Sequence, residues 1–337
     1  MKLRHFAFFL ILVLLGLLAL RYAGQLPQFI DLIRQMNPWW LLAILPVRFV
    51  YYWSSTKYYD RFYSGVYQKR LPFWKLFEGV VAMNFVNTVI PTGGISGAAF
   101  FAQIFQKKIT QRESYLAQFF WYIATFLSVV MTLGLSFLLL FFSQEIALVS
   151  FRLILIVTSF LLFIALAIIA ITINPRLFER ALFVLTRPMN WILKLFKRGT
   201  LGAVQTRRFV DSYRRLVDLL LASPRHFLRM IGFAWLCIVC EMASITLVFL
   251  ALDQVINPGI AGVMYVFALI LSVASVFTSG VGLYEATMIA TAVALGIPFQ
   301  VAFSVTTIYR LIALWLFIPV GLIFYKRQAV DEPQGHH

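Results

Sequence analysis

The feature that most constrains this chain is a set of five apolar runs, Phe6–Leu20, Leu116–Phe142, Leu153–Ile173, Phe227–Leu252 and Val301–Tyr325. Each is long enough, or nearly so, to cross a hydrocarbon core of about 30 Å as a helix. Of the 337 residues, 61% are apolar and 12% charged, against about 45–50% and about 25% in soluble domains. Such a composition belongs to a membrane protein and excludes a secreted soluble domain, a coiled coil and a disordered chain.

The remaining charges are lopsided, with 29 Lys and Arg against 13 Asp and Glu and a net of +16. A nucleic-acid-binding face would interleave basic residues with polar and aromatic ones, whereas here they sit in blocks between apolar runs. Short cytoplasmic flanks of spanning helices carry an excess of Lys and Arg, so the blocks read as topology. Lys2 and Arg4, the group from Lys57 to Lys75, Lys107 with Lys108 and Arg112, the loop Asn174–Arg225, and Lys326 with Arg327 place 23 of the 29 basic residues on one side. Both termini are therefore expected in the cytoplasm. The first run lacks a small-residue cleavage site and reads as an uncleaved span; the second span is expected from Pro38 to Thr56. Clusters at Trp39-Trp40, Tyr51-Tyr52-Trp53 and Tyr58-Tyr59 read as interfacial belts at span ends.

Two further apolar segments are interrupted. Leu76–Phe105 is broken by Pro91-Thr92-Gly93-Gly94-Ile95-Ser96-Gly97, which cannot continue a helix without cost. Its arms, about 15 and 11 residues long, reach only roughly 22 and 16 Å, so a re-entrant hairpin fits better than two spans. The second break, Thr278-Ser279-Gly280-Val281-Gly282-Leu283-Tyr284-Glu285, lies within Ile260–Leu295 and by the same topology enters from outside. Paired interruptions of opposite orientation point to a transporter built of inverted repeats, with its substrate site at the breaks. If all four arms spanned, eight spans would result with the same flanks. Each helix after a break offers unpaired N–H groups and a positive dipole end to an anion such as phosphate. Ser96 and Ser279 are alternatively simple caps of those helices, and the glycines alternatively serve close helix packing.

Arg48, Glu241, Glu285 and Arg310 lie inside apolar stretches, where a charge costs about 2.5–3.5 kcal/mol at the centre of a span. The two arginines suit phosphate, because the guanidinium is a planar donor fork that stays charged. The two acids would pair with them, bind a cationic headgroup or carry a proton; buried structural ion pairs are the plainer reading. Cys237 and Cys240 are flanked by apolar residues and read as packing, and the four histidines show no metal spacing. Neither a cofactor nor a metal is expected. Within the basic loop, Leu177–Phe196 reads as an interfacial helix, kinked at Pro188, that binds anionic lipid.

The two Gly-rich breaks, followed by Leu295-Gly296-Ile297-Pro298 and then by Tyr309-Arg310, resemble the lysylphosphatidylglycerol synthase transmembrane, or flippase-like, family over almost the whole chain. The resemblance implies a polytopic fold with re-entrant helices and a role in moving a phospholipid or another lipid across the cytoplasmic membrane. It carries Pro91, Gly93, Gly94, Gly97, Gly280, Gly282, Glu285 and Arg310 to the lipid path; the residues themselves add Arg48, Ser96, Glu241, Ser279 and Tyr309. Many relatives place an acid and an Arg after the first Gly motif, where this chain has Ala98, Ala99, Phe100 and Phe101. The span from Tyr325 to His337 has no room for the soluble aminoacyltransferase domain of the synthases, so a complete aminoacyl-lipid synthase is not expected.

The expected protein is thus an all-α polytopic membrane protein of the inner cell membrane. It has one transmembrane domain over 1–325, about six spans plus hairpins at 76–105 and 260–295, and a tail at 326–337. Its expected activity is lipid translocation; a membrane part working with a separate soluble transferase, and a scaffold that transports nothing, are the alternatives. Expected partners are anionic or phosphate-bearing membrane lipids, a soluble transferase or a second copy of the chain, and no nucleic acid.

Overall fold

The computed structural model describes residues 34–90, 94–143, 223–273, 282–315 and 317–330, with isolated stretches between 156 and 218. The expected first span, most of the run 153–173, most of the helix expected at 177–196, and Pro91, Gly93, Ser279 and Gly280 lie outside the described residues. The described residues are helical, with no strand among them. In order they form α1 (Pro38–Leu42), α2 (Ile44–Val66), α3 (Phe73–Val89), α4 (Ile95–Ile104), α5 (Gln111–Ser143), α6 (Pro224–Ala251), α7 (Pro258–Val273), α8 (Leu283–Ala294) and α9 (Phe299–Arg310). A π turn over Leu311–Trp315 follows, and then α10 (Phe317–Val330).

Three stretches are apolar and long enough to cross a bilayer: Gln111–Ser143, Pro224–Ala251 and Phe299–Gln328. Their outward positions are apolar where a soluble protein would be polar; Phe142 on α5 is 79% exposed and Ile323 on α10 is 62% exposed. Lipid, not water, suits such a surface. The helix expected to stop at Thr56 instead runs on to Val66, past Lys57, Asp60 and Arg61. That overturns the belt reading for Tyr58 and Tyr59, which are 0% and 2% exposed. With Phe62, Tyr63, Phe101, Phe105 and Phe120 they form an aromatic core between α2, α3, α4 and the first half of α5. A second, aliphatic core joins the other half of α5 to α6, α7, α8 and α9.

The helices pair in a nearly self-matching way. α3 packs on α4, α4 on α5, and α3 lies against α10; α7 packs on α8, α8 on α9, and α7 lies against α5, while α2 and α6 hold each other at the centre. Small residues permit the closest of these approaches. A Cβ on Gly259 would come 2.8 Å from the Ser136 carbonyl oxygen, and one on Gly262 would come 2.1 Å from the Ser136 hydroxyl, so α7 rests directly on the backbone of α5. Charge collects at the open end of the first hairpin. There Lys69 pairs with Glu113 at 2.6 Å, Thr110 and Glu113 cap α5 reciprocally, and Arg327 and Gln328 of α10 donate to Glu78 of α3.

Because the atom opposite Gly259 is backbone and cannot rotate away, Gly259→Leu is expected to separate α7 from α5 and destabilise the protein by about 1–3 kcal/mol. Thermal unfolding in detergent checks this, with Gly134→Leu as control, since nothing lies within 4 Å of a Cβ there.

Candidate functional site

Of the four charges that sequence alone places inside apolar stretches, Arg48, Glu241 and Arg310 line one cavity, and Glu285 holds Arg310. Arg48 of α2 is 3% exposed and Glu241 of α6 is 7% exposed. Arg48 donates from Nη1 to Glu241 Oε1 at 2.8 Å and from Nη2 to Oε2 at 2.5 Å, a two-pronged pairing that matches guanidinium to carboxylate geometry. Tyr309 of α9 donates its hydroxyl to the same Oε2 at 2.7 Å. Glu241 therefore has three donors. Arg48 lies near two rings, with its guanidinium carbon 5.7 Å from the Tyr51 centroid and 5.6 Å from that of Tyr309.

The second pair differs. Arg310, the last residue of α9, donates Nε to Glu285 Oε1 at 2.5 Å and stacks over the Tyr284 ring at 4.5 Å. Its terminal amino groups donate to no group among the described residues, and Arg310 lines the cavity. The π turn begins at the next residue; such turns recur at functional sites. Glu285 is held in turn by the Gly282 N–H, which donates to its Oε2 at 2.6 Å. One carboxylate thus both caps α8 and orients Arg310.

Two of the expected roles shift. The anion position at the start of α8 is taken by Glu285 itself. At α4, the Gly97 N–H donates to Asn87 Oδ1 at 2.9 Å, and Ser96 does not cap the helix but donates its hydroxyl to the Ile90 carbonyl at 3.0 Å. The residue preceding each short helix is instead a glycine in left-handed backbone, Gly94 at φ +87° and Gly282 at φ +89°, a conformation that L side chains rarely adopt. A Cβ at Gly97 would come 2.3 Å from Asn87 Oδ1, so a larger residue there displaces the Asn87 side chain that accepts from the Gly97 N–H. Gly94, Ser96 and Gly97 build the first turn; Gly282 and Glu285 build the second turn beside the charges.

The cavity holds about 280 Å³ and is walled by α2, α3, α6, α7, α8, α9 and α10. Besides the charges it presents the tyrosines 51, 52, 265, 284 and 309, with Asn84 and Thr88 from α3. Tyr51 and Tyr52, expected in an interfacial belt, thus line the cavity instead, because α2 continues beyond them. Asn84, Asn87 and Tyr265 were not singled out from sequence; the polar positions Asn84, Asn87 and Thr88, a helical turn apart within an apolar arm, were the available signal. Cys237 and Cys240 are buried free thiols, and no group of three metal-ligating side chains exists among the described residues.

The family model for the lysylphosphatidylglycerol synthase TM region matches residues 6–321. The chain belongs to this family. Membership agrees with an all-helical, multi-pass membrane protein and with a function connected to membrane lipids. No curated protein and no solved structure matches the chain.

Removing one partner of the buried pair leaves an uncompensated charge, whereas replacing both by apolar residues of similar volume does not. Glu241→Leu is expected to destabilise the protein by about 3–5 kcal/mol, and the double variant Arg48→Met, Glu241→Leu to recover most of that loss. Thermal unfolding in detergent of the two single variants and the double variant checks the expectation.

Proposed function

We propose that this family member is a lipid translocase that draws a phosphate-bearing headgroup into the cavity at Arg310 while the acyl chains remain in an apolar environment. One observation carries the reading: Arg310, held at Nε by Glu285, lines a cavity among apolar helices, and among the described residues its terminal amino groups have no hydrogen-bond partner. A phosphate oxygen pair is the natural acceptor for a planar fork. The pairing of charges also suits passage. Arg48 with Glu241 and Arg310 with Glu285 are mutually neutral, so a phosphate enters a site with no surplus charge to trap it.

Two features support transport through broken helices. α3 and α4, with 17 and 10 residues, reach only about 25 and 15 Å. Val89, Ile90 and Ile95 at their turn are more than half exposed or nearly so, at 56%, 50% and 61%, as befits a turn in hydrocarbon with its charged flanks at the interface. The near self-matching of the two hairpins supports an inverted repeat. In this reading both termini face the cytoplasm and the membrane is the inner cell membrane, as the Lys and Arg blocks indicate.

Reconstitution in liposomes with fluorescent phospholipids tests the proposal. A charge-assisted hydrogen bond is worth about 1.5–3 kcal/mol, so Arg310→Gln is expected to slow translocation by roughly tenfold to a hundredfold. Arg310→Lys retains charge without the fork and is expected to rescue only part. Equal translocation by the wild type and an Arg310→Ala, Glu285→Ala double variant would refute the site.

A further inference from the structure

A second and larger cavity, of about 770 Å³, opens beside the first hairpin between α3, α4 and α10. Its size falls within the roughly 300–1,000 Å³ of sites that take small ligands. On α4, Ser96, Ala99, Phe100 and Gln103 line it, a helical spacing that turns one face of this helix to the cavity, and Gln106 follows in the turn after the helix. The chemistry changes along that face. Towards the hairpin turn and on the opposite walls the lining is mostly apolar, with Val86, Val89, Phe100 and Leu322 beside Ser96; at the loop end it is mostly polar, with Gln103, Gln106, Thr110 and Gln111 beside Ile109. Among the described residues no charged side chain lines the cavity. Lys107 and Lys108 belong to the same loop and Arg112 to the first turn of α5, which puts the carboxamide end at the membrane surface and the apolar end in hydrocarbon.

That gradient is the gradient of a single leaflet. A glycerolipid in its ordinary orientation meets it with its ester and phosphate oxygens at the carboxamides and an acyl chain along Val86, Val89 and Phe100. The cavity also adjoins the one at Arg310, because Phe85 of α3 lines both. Phe85 sits against Gly321, where a Cβ would come 2.5 Å from its own Cβ, and its ring lies 5.9 Å from that of Tyr325.

We infer that the larger cavity is a loading site, which holds a membrane glycerolipid in leaflet orientation before its headgroup passes Phe85 into the Arg310 cavity. The inference rests on the translocase reading but adds a separate site with its own test. The full-length protein is placed in bilayers containing a phosphatidylglycerol that carries a photoreactive diazirine in its acyl chain, and labelled peptides are mapped by mass spectrometry. Labelling is expected on α3, α4 and α10 around Val86 and Phe100. Ala99→Trp fills the cavity without touching Arg310; displacing even two chain methylenes weakens binding about tenfold, so this labelling and the rate of translocation should both fall by about that factor. Ala99→Leu, a smaller change, should give a graded loss and keeps the test valid if the tryptophan variant fails to fold. Labelling unchanged by either substitution, or confined to outward residues such as Phe141 and Phe142, would overturn the loading site while leaving an Arg310 dependence of translocation intact. Cavity labelling that Ala99→Trp removes supports the site even if the wild type moves no lipid, an outcome that instead defeats the translocase reading.

Discussion

The buried pairing of Arg48 with Glu241 is the interaction on which the rest of the architecture depends. It joins α2 to α6, the two helices at the centre of the packing, and through Tyr309 it gathers in α9. Its place along α2 is telling: Ile44, a turn before Arg48, belongs to the aliphatic core, and Tyr58, further along, belongs to the aromatic one. The pair therefore stands at the seam where neither core closes over the other. In hydrocarbon two charges this deep are costly unless paired; here both carboxylate oxygens and both guanidinium amino groups are hydrogen-bonded, while Arg48 Nε has no partner among the described residues. What the pair contributes is register rather than net stability, since only one alignment of α2 with α6 satisfies all of these hydrogen bonds.

The same constraint explains the asymmetry between the two arginines. Arg48 has both of its terminal amino groups committed to Glu241, so it is a structural cation that polarises the cavity wall. Arg310 is held from behind, through Nε, by a carboxylate that is itself fastened to the start of α8. A residue anchored at one end, with no partner for its terminal amino groups among the described residues, is positioned before any ligand arrives, which lowers the ordering cost of binding. Glycine in left-handed backbone at Gly282 makes this possible, by turning the chain sharply enough for the N-cap N–H to meet the side chain three residues on.

The lipid environment made much of this legible in the sequence. Long apolar runs announce helices, blocks of Lys and Arg announce flanks, and a charge inside an apolar run is conspicuous because it is expensive. Arg48, Glu241, Glu285 and Arg310 could thus be picked out one by one. Their partnership could not, since 193 residues separate Arg48 from Glu241 and nothing local links them. Aromatic residues misled for a physical reason: a tyrosine at a span end and a tyrosine in a core share one composition, and only the extra turns of α2 beyond Thr56 distinguish them. Ser96 misled similarly, because a serine near a helix start can serve the helix or, as here, the preceding turn.

Neither cavity could have been read from sequence, as each is bounded by helices distant in the chain. Their contrast nevertheless follows from which helix faces meet. Where α8 and α9 bring tyrosines and paired charges against α3, the space is small and polar; where α4 and α10 meet the other flank of α3, it is large and mostly apolar. Phe85 lines both. Moving an amphiphile demands two unlike environments in contact, one strong enough to strip water from a headgroup and one indifferent enough to let it go, as binding along any conduction path must be. In the proposed translocase, the paired charges around Arg310 answer the first demand without the excess attraction that would defeat the second.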